Sequence, residues 1–542
     1  MSKTLHGIRE RLMKQAAKES VLVRAFIFGF VCLVLATGPT ACSSGPQDSA
    51  AGAAPASGSR APGDLLNPAQ VEGWADETFG KILEEYRVSG LAISVTQGEE
   101  LILNKGYGYA DWVTKAPVDP DTSQFRIGSL SKTFLSTAVA QLLERGQIDS
   151  LDDPANKYLE RIQLESPSGR DITVWDLLTH QGGLGSSPVF IPETDGPRPL
   201  APLPADFVSA NTPDVVREPG TISIYCNPCS ATLGFMVEDI TGQTLEDVFR
   251  ENIYAPLDMT HTTLTNDPDP GPNMVTQYAF APDGPPVALP YPAISAYISY
   301  AGDVNSTAGD MAKWLMSHIQ EGSGTVPAIL SPETFRLMHR RNRGNHPDMS
   351  GFGMNFFTYD YNGEPVLEHY GSIRFRSMEF MMLDRKIGVF VTMGGGGEPS
   401  DALLADADTT LPPTTGPVER AMSHSGVRAL VLEYFLGPLP LHPDPDVDIS
   451  QYTGLYRNIP TAAGAAPGPG GRTVEDSGDG GLVIGGLGVY RPSGPHTFTL
   501  DGILPLEAGF RDSNKYVFAT GPDGVTRMFA HVNAGGFERV PE

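Results

Sequence analysis

Strand-like alternation of apolar and polar residues appears in two widely separated blocks of this chain, and the interval between them follows a helical period. The first block covers residues 91–97 and 101–109, joined by Gly98-Glu99-Glu100 as a hairpin. Strand patterns resume only at 352–357, 366–370, 378–383 and 387–393. From about residue 130 to 320 the chain reads as mainly helical, and amphipathic helices are predicted at 68–86 and 418–436. Strands split around a helical middle, with helices at both ends of the module, place residues 66–440 in the α+β class.

Pro438, Pro440, Pro443 and Pro445 mark a change of pattern. Beyond them, short apolar stretches around Tyr456, Val483, Phe498, Val517 and Met528 are separated by Gly-rich turns, so residues 450–542 read as a separate all-β module. A chain of 542 residues is long enough for two cores of this kind. Its formal net charge of -26 excludes phosphate-backbone binding, which needs a basic face, so no nucleic-acid partner is expected. No His/Cys/Asp cluster has metal-ligand spacing, and Gly394–Gly397 lacks the Lys-Ser/Thr ending of a phosphate loop; neither metal nor cofactor is expected.

The first 42 residues have the layout of an export signal. Six basic residues from Lys3 to Arg24 precede an apolar core, Ala25 to Ala36, that is shorter than the ~20 residues a spanning helix needs. Pro39-Thr40-Ala41-Cys42-Ser43-Ser44-Gly45 resembles a bacterial lipoprotein processing site, with Pro39 where Leu is usual, and makes Cys42 a candidate lipidation site. Residues 43–65, rich in Gly, Ala, Ser and Pro, read as a flexible tether. The expected location is the periplasm or cell envelope, with a membrane tether through Cys42. The alternative is a cleaved signal with free release.

Three short motifs occur in order. Ser129-Leu130-Ser131-Lys132 stands at the entrance to a helix whose buried face carries Leu135, Ala138 and Leu142. Residues three apart on a helix share a face, so Lys132 is expected beside the Ser129 hydroxyl, where an amine of lowered pKa can take its proton. The other reading makes Ser129 an N-cap and Lys132 a solvated first-turn residue. Tyr225-Cys226-Asn227 follows about a hundred residues later, and His369-Tyr370-Gly371-Ser372 ends a predicted strand.

This ordered triplet resembles the serine beta-lactamase and penicillin-recognising superfamily, in particular its class C-like branch of D-alanyl-D-alanine carboxypeptidases, D-aminopeptidases and esterases. Leu177-Leu178-Thr179-His180-Gln181-Gly182-Gly183-Leu184, the segment Pro256-Leu257-Asp258-Met259 with Thr262, and Ser306-Thr307-Ala308-Gly309-Asp310-Met311 are similar to other recurring segments of that superfamily. The resemblance covers approximately residues 66–440. It implies an antiparallel sheet flanked by helices with an all-helical lobe, and the β module looks like the small lipocalin-like barrel appended to many members. It implies Ser129 as the nucleophile, with Lys132 and Tyr225 sharing the proton traffic. A neighbouring ammonium would favour the Tyr225 phenolate as a base. Asn227 would hydrogen-bond Lys132 and the substrate amide, and the N–H groups of Ser129 and Ser372 would hold the oxyanion. The substrate would be a small molecule or peptide with an acyl carbonyl.

Two features depart from the beta-lactamase pattern. His369-Tyr370-Gly371 replaces Lys-Thr-Gly, as in esterase-like and peptidase-like relatives, and Phe375-Arg376 stands in place of the usual Gly-Phe with Arg374 just before, where two guanidiniums would suit a substrate carboxylate. After processing and lipidation only Cys226 and Cys229 would remain, and in an oxidising setting they are expected to form a disulfide. The functional expectation is an exported serine hydrolase of amides or esters working through an acyl-enzyme; the rival is a catalytically slow penicillin-binding or cell-wall-sensing protein.

Overall fold

A computed structural model describes residues 64–540 except 87, 186–201, 266–270, 280–285, 290, 292–293, 347–348, 395–423, 438–446, 459–470, 486–488, 495, 501–514, 521–524 and 531–535. The expected leader, Cys42 and nearly all of the 43–65 tether lie outside the described residues, as do 395–397 and 418–423. No helix among the described residues is long and apolar enough to cross a membrane, and no group of His, Cys, Asp and Glu among them could hold a metal ion.

One eight-stranded antiparallel sheet joins the two strand blocks, in the order Ala116–Pro117, Glu100–Asp111, Gly90–Gln97, Ile387–Met393, Phe375–Met382, Glu364–Ile373, Phe357–Tyr361, Gly351–Phe352. The seam is Gly90–Gln97 against Ile387–Met393, with Leu91 opposite Met393 and Gln97 opposite Ile387. Every residue of Ile387–Met393 is buried, because helices cover both faces of the sheet there. On one face lie Pro68–Tyr86 and His424–Leu436, where Trp74 stacks on Tyr434 with ring centroids 4.3 Å apart and Val71, Phe79, Val389 and Val431 share a core. On the other lie Ser131–Glu144 and Ala308–Ile319, joined by the stack of Phe134 on Trp314 at 4.0 Å.

The helix after Ser129 differs from the expected one-sided amphipath. Residues from Ser131 through Leu142 are all buried. Its polar members are accommodated by bonding back to their own helix: Thr133 Oγ1 donates to Leu130 O, Ser136 Oγ to Lys132 O and Thr137 Oγ1 to Thr133 O. The strand expected over 352–357 is also two strands instead of one. Between them Asn355, at φ 61°, turns inward and donates from Nδ2 to Ser136 Oγ at 2.7 Å, which an unbroken strand would not allow.

Residues Gly454–Arg539 form a closed barrel whose strands follow in chain order, with Tyr456 opposite Arg539 at the closure. Its interior is filled by Tyr456, Tyr490, Phe498, Tyr516, Phe518 and Met528. An eight-stranded barrel is just wide enough for side chains to fill. Its outer surface supplies Phe529, which packs with Ile222, Ile224 and Met349.

Candidate active site

Ser129 lies in a single 3₁₀ turn, Gly128–Leu130, and the helix proper begins at Ser131. It is therefore not an N-cap; Leu130 holds that position and makes no side-chain cap bond. Three interactions fix the turn. Ser131 Oγ donates to Gly128 O at 2.6 Å and accepts from Val304 N–H at 3.1 Å. Just upstream, Arg126 and Asp303 form an ion pair at 2.5 Å with both side chains fully buried.

Lys132 Nζ lies 2.9 Å from Ser129 Oγ and 2.8 Å from the Ala301 carbonyl. The side chain is fully buried, not solvated, and burial pushes the amine well below its usual pKa. A neutral amine donates one N–H to Ala301 O and keeps a lone pair for the Ser129 proton. Tyr225 completes this corner: Nζ is 5.0 Å from the centroid of its ring, and its buried hydroxyl, near Ser129, has no hydrogen-bond partner of normal geometry among the described residues.

Two expectations about this corner are corrected. Burial raises the Tyr225 pKa more than Ser129 lowers it, which favours the phenol over the phenolate in the resting site, against the expectation of a ready phenolate base. The ammonium that was to favour the phenolate is itself suppressed by desolvation. Asn227, the first residue of the helix Asn227–Thr241, is not a partner of Lys132; the Ala301 carbonyl takes that role.

The strand Glu364–Ile373 brings His369, Gly371 and Ser372 to the turn that holds Ser129. A Cβ on Gly371 would lie 1.9 Å from Ile127 O and 2.9 Å from Ser129 N, so only glycine fits. A Cβ on Gly128, itself at φ 59°, would lie 3.1 Å from Ser372 N. Two glycines thus let the backbone N–H groups of Ser129 and Ser372 approach one another, the arrangement an oxyanion needs. His369 is buried, its Nδ1 2.9 Å from Tyr370 O and its ring 6.0 Å from that of Tyr225.

The two arginines do not act as a pair. Arg374 occupies the turn at φ 58°, whereas Arg376 lies opposite Ser372 in the register and in step with Met378 and Phe380. Strand alternation projects it from the face opposite to Gly371. Cys226 and Cys229 are bonded to each other, with Cα atoms 5.3 Å apart, at the start of Asn227–Thr241. Cys226 is also the N-cap, its Sγ accepting from Cys229 N–H at 3.1 Å.

Several contributors carry no readable motif. The Ala301 carbonyl is backbone, and Asp303 lies 177 residues from its partner Arg126. The segments ending in Thr262 and beginning at Ser306 meet one another, where Asp310 Oδ2 accepts from Thr262 Oγ1 at 2.9 Å and from His261 N–H at 2.8 Å. Their role is to join the helix Ala308–Ile319 to the preceding loop.

Comparison with known proteins agrees with this geometry. The family model described as Beta-lactamase matches residues 75–410. A protein bearing the name of a penicillin-binding protein, PbpX of Bacillus subtilis (strain 168), is 29% identical over 240 residues, 44% of this chain and 57% of its own length. The D-aminopeptidase of Brucella anthropi is 27% identical over 334 residues, 60% of each chain. The chain thus spans about three fifths of the length of the curated relatives it matches. Among solved structures, the octameric penicillin-binding protein homologue from Pyrococcus abyssi superposes with a TM-score of 0.54 at 20% identity, covering 86% of this chain and 100% of that one, a likeness of fold. With the family match spanning most of its length, and Ser129, Lys132 and Tyr225 gathered at one corner of the sheet, this chain belongs to the beta-lactamase family.

Proposed function

We propose that this chain is an exported serine hydrolase that cleaves an amide or ester through an acyl-enzyme on Ser129. The observation that carries the reading is the desolvated Lys132 amine 2.9 Å from Ser129 Oγ. Neutral Lys132 takes the Ser129 proton as Oγ attacks the acyl carbonyl, and the tetrahedral oxyanion is held by the N–H groups of Ser129 and Ser372. Tyr225, a phenol whose pKa is raised, gives its proton to the leaving nitrogen or oxygen and recovers one from the Lys132 ammonium. Water then adds to the acyl carbon and gives a proton to Lys132; the bond from that carbon to Ser129 Oγ breaks as the proton passes back to Oγ, which releases the acid and restores the resting state. D-Amino-acid amides and peptides are the substrate class to try first, since the Brucella relatives carry the name D-aminopeptidase. Export, and anchoring through a lipidated Cys42, rest on the leader sequence alone.

The test is to incubate purified protein with a fluorescent penicillin, a panel of chromogenic esters and D-amino-acid p-nitroanilides, following covalent labelling and turnover together. Turnover that disappears in Ser129→Ala, at an almost unchanged thermal midpoint, is the expected result. Labelling that persists in Ser129→Ala would remove the nucleophile assignment, and labelling without turnover would make the protein a penicillin-binding sensor.

A further inference from the structure

The loop Leu177–Leu184 contains a buried histidine to which the reaction assigns no part. His180 is fully buried and adopts φ 59°, a left-handed conformation uncommon outside glycine. Both of its acceptors are directed at the segment that carries Tyr225. Its carbonyl accepts from Ile224 N–H at 3.0 Å, and its Nδ1 accepts from Cys226 N–H at 3.2 Å. Residues two apart in an extended segment present their N–H groups on the same side, so a single residue grips the backbone immediately before and after Tyr225. The imidazole also lies against the phenol, with ring centroids 4.6 Å apart, and Phe352 meets its other side edge-on at 4.8 Å.

From this bracket we infer that His180 is the positioning residue for Tyr225, holding its hydroxyl at Ser129 for protonation of the leaving group. The inference rests on the reading of Tyr225 as the proton donor. The left-handed backbone follows from the same role, because it lets carbonyl and Nδ1 of one residue face one neighbouring segment. The tautomer is set by the Cys226 N–H: Nδ1 is an acceptor, so a neutral ring carries its hydrogen on Nε2. The ring stays neutral because burial pushes its pKa down to about 3. Cys226 is held from a second direction by its bond to Cys229, which anchors it to the helix Asn227–Thr241.

Substitutions at His180 separate the two features of the bracket. His180→Gly accepts φ 59° without strain but removes the side-chain acceptor. His180→Asn tolerates the same backbone and puts an amide oxygen where Nδ1 was. Two probes separate positioning from mere folding: an acyl p-nitrophenyl ester, whose leaving group departs without a proton, and D-alanine p-nitroanilide, whose leaving nitrogen needs one. In full-length protein, His180→Gly should lower kcat on the anilide by about 100-fold, as a misplaced catalytic group does, with a loss below about fivefold on the ester. His180→Asn should recover most of the anilide rate, and adding His180→Gly to Tyr225→Phe should change little. Equal losses on both probes, or a selective anilide loss in His180→Asn, would overturn the positioning role. If His180→Gly fails to fold, His180→Asn still decides between the two. Tyr225→Phe with an undiminished anilide rate would instead remove the proton-donor reading itself, a result distinct from any His180 outcome.

Discussion

The beta-lactamase-family body and the C-terminal barrel are both built on antiparallel strands, yet they bury different side chains. The body encloses ionisable groups: Lys132, the Arg126–Asp303 pair, Glu379, and Glu368 gripped by Arg428 while Tyr359 donates to it at 2.6 Å. The barrel interior is lined instead by aromatic side chains with Val474, Leu482, Ile484 and Met528, and among its described residues the ion pair of Arg527 with Glu538, at 3.0 Å, is part-exposed. Desolvating charge costs stability, and a fold retains such groups where pKa values must be shifted or strands held in one place. The contrast supports the body as the seat of the proposed chemistry, and the filled barrel interior leaves its outer surface as the part in contact with the body.

The comparison breaks first if Lys132 is not retained at a cost. Lys132→Met should lower acylation by about 10³–10⁴-fold, the scale of a lost general base, while the thermal midpoint stays level or rises because a suppressed amine is replaced by an apolar chain of similar length. Pre-steady-state kinetics and calorimetry on the same preparation check both halves. A marked loss of stability would mean that the amine supports the fold, contrary to the contrast.

The Arg126–Asp303 pair tests whether the buried charge near the nucleophile holds geometry. Arg126→Met leaves Asp303 uncompensated in a dry site and should cost about 3–5 kcal/mol, whereas Arg126→Met with Asp303→Leu should recover much of that stability. Denaturant titration measures the difference. The double variant should still acylate slowly, since strand Phe125–Arg126 would no longer be tied by charge to the segment after Ala301.

Glu379 sharpens the contrast through pH. Its carboxyl is buried against Trp314, whose Nε1–H donates to it at 3.0 Å, and burial raises its pKa to about 8. The folded state thus holds a proton that the unfolded chain releases near 4.5. Its contribution is fully present below that pH and is lost as pH rises towards and through about 8. Glu379→Gln keeps the shape without the titration, so its stability relative to the parent should improve by up to about 1.4 kcal/mol per pH unit across that window. Parallel unfolding curves at pH 5 and pH 8 that show the same difference would refute the assignment.

What could be read in the chain follows from the same physics. Ser129 and Lys132 are three residues apart, and local spacing on a helical turn survives folding, so their meeting was foreseeable. The strands were legible for the same reason, through alternation, except where Asn355 turns inward and splits one of them. Desolvation is not local. Nothing near Tyr225 or Lys132 in sequence announces how deeply the fold buries them, and that burial disfavours the charged form of each. Backbone acceptors such as Ala301 O carry no residue identity at all. His180 stood in a recognisable segment, but its two hydrogen bonds reach residues 44 and 46 positions away, beyond the reach of any periodicity.

The smallest expected effect tests the barrel's outer surface. Phe529 is buried against Ile222, Ile224 and Met349, and Ile224 is the residue whose N–H is gripped by His180 just before Tyr225. Truncation to Phe529→Ala removes that packing without touching any reacting group. If the barrel steadies the Tyr225 segment, anilide turnover should fall, but by less than about tenfold, equivalent to roughly 1.4 kcal/mol at the transition state. The control is Phe498→Ala inside the barrel, which should cost about 3–5 kcal/mol of barrel stability as a large cavity does, and should affect turnover only where the barrel itself unfolds. A Phe529→Ala enzyme with unchanged rates on both ester and anilide would show that the two regions are energetically independent. A fall confined to the anilide would instead extend the support of Tyr225 from the body's own loop to the second module.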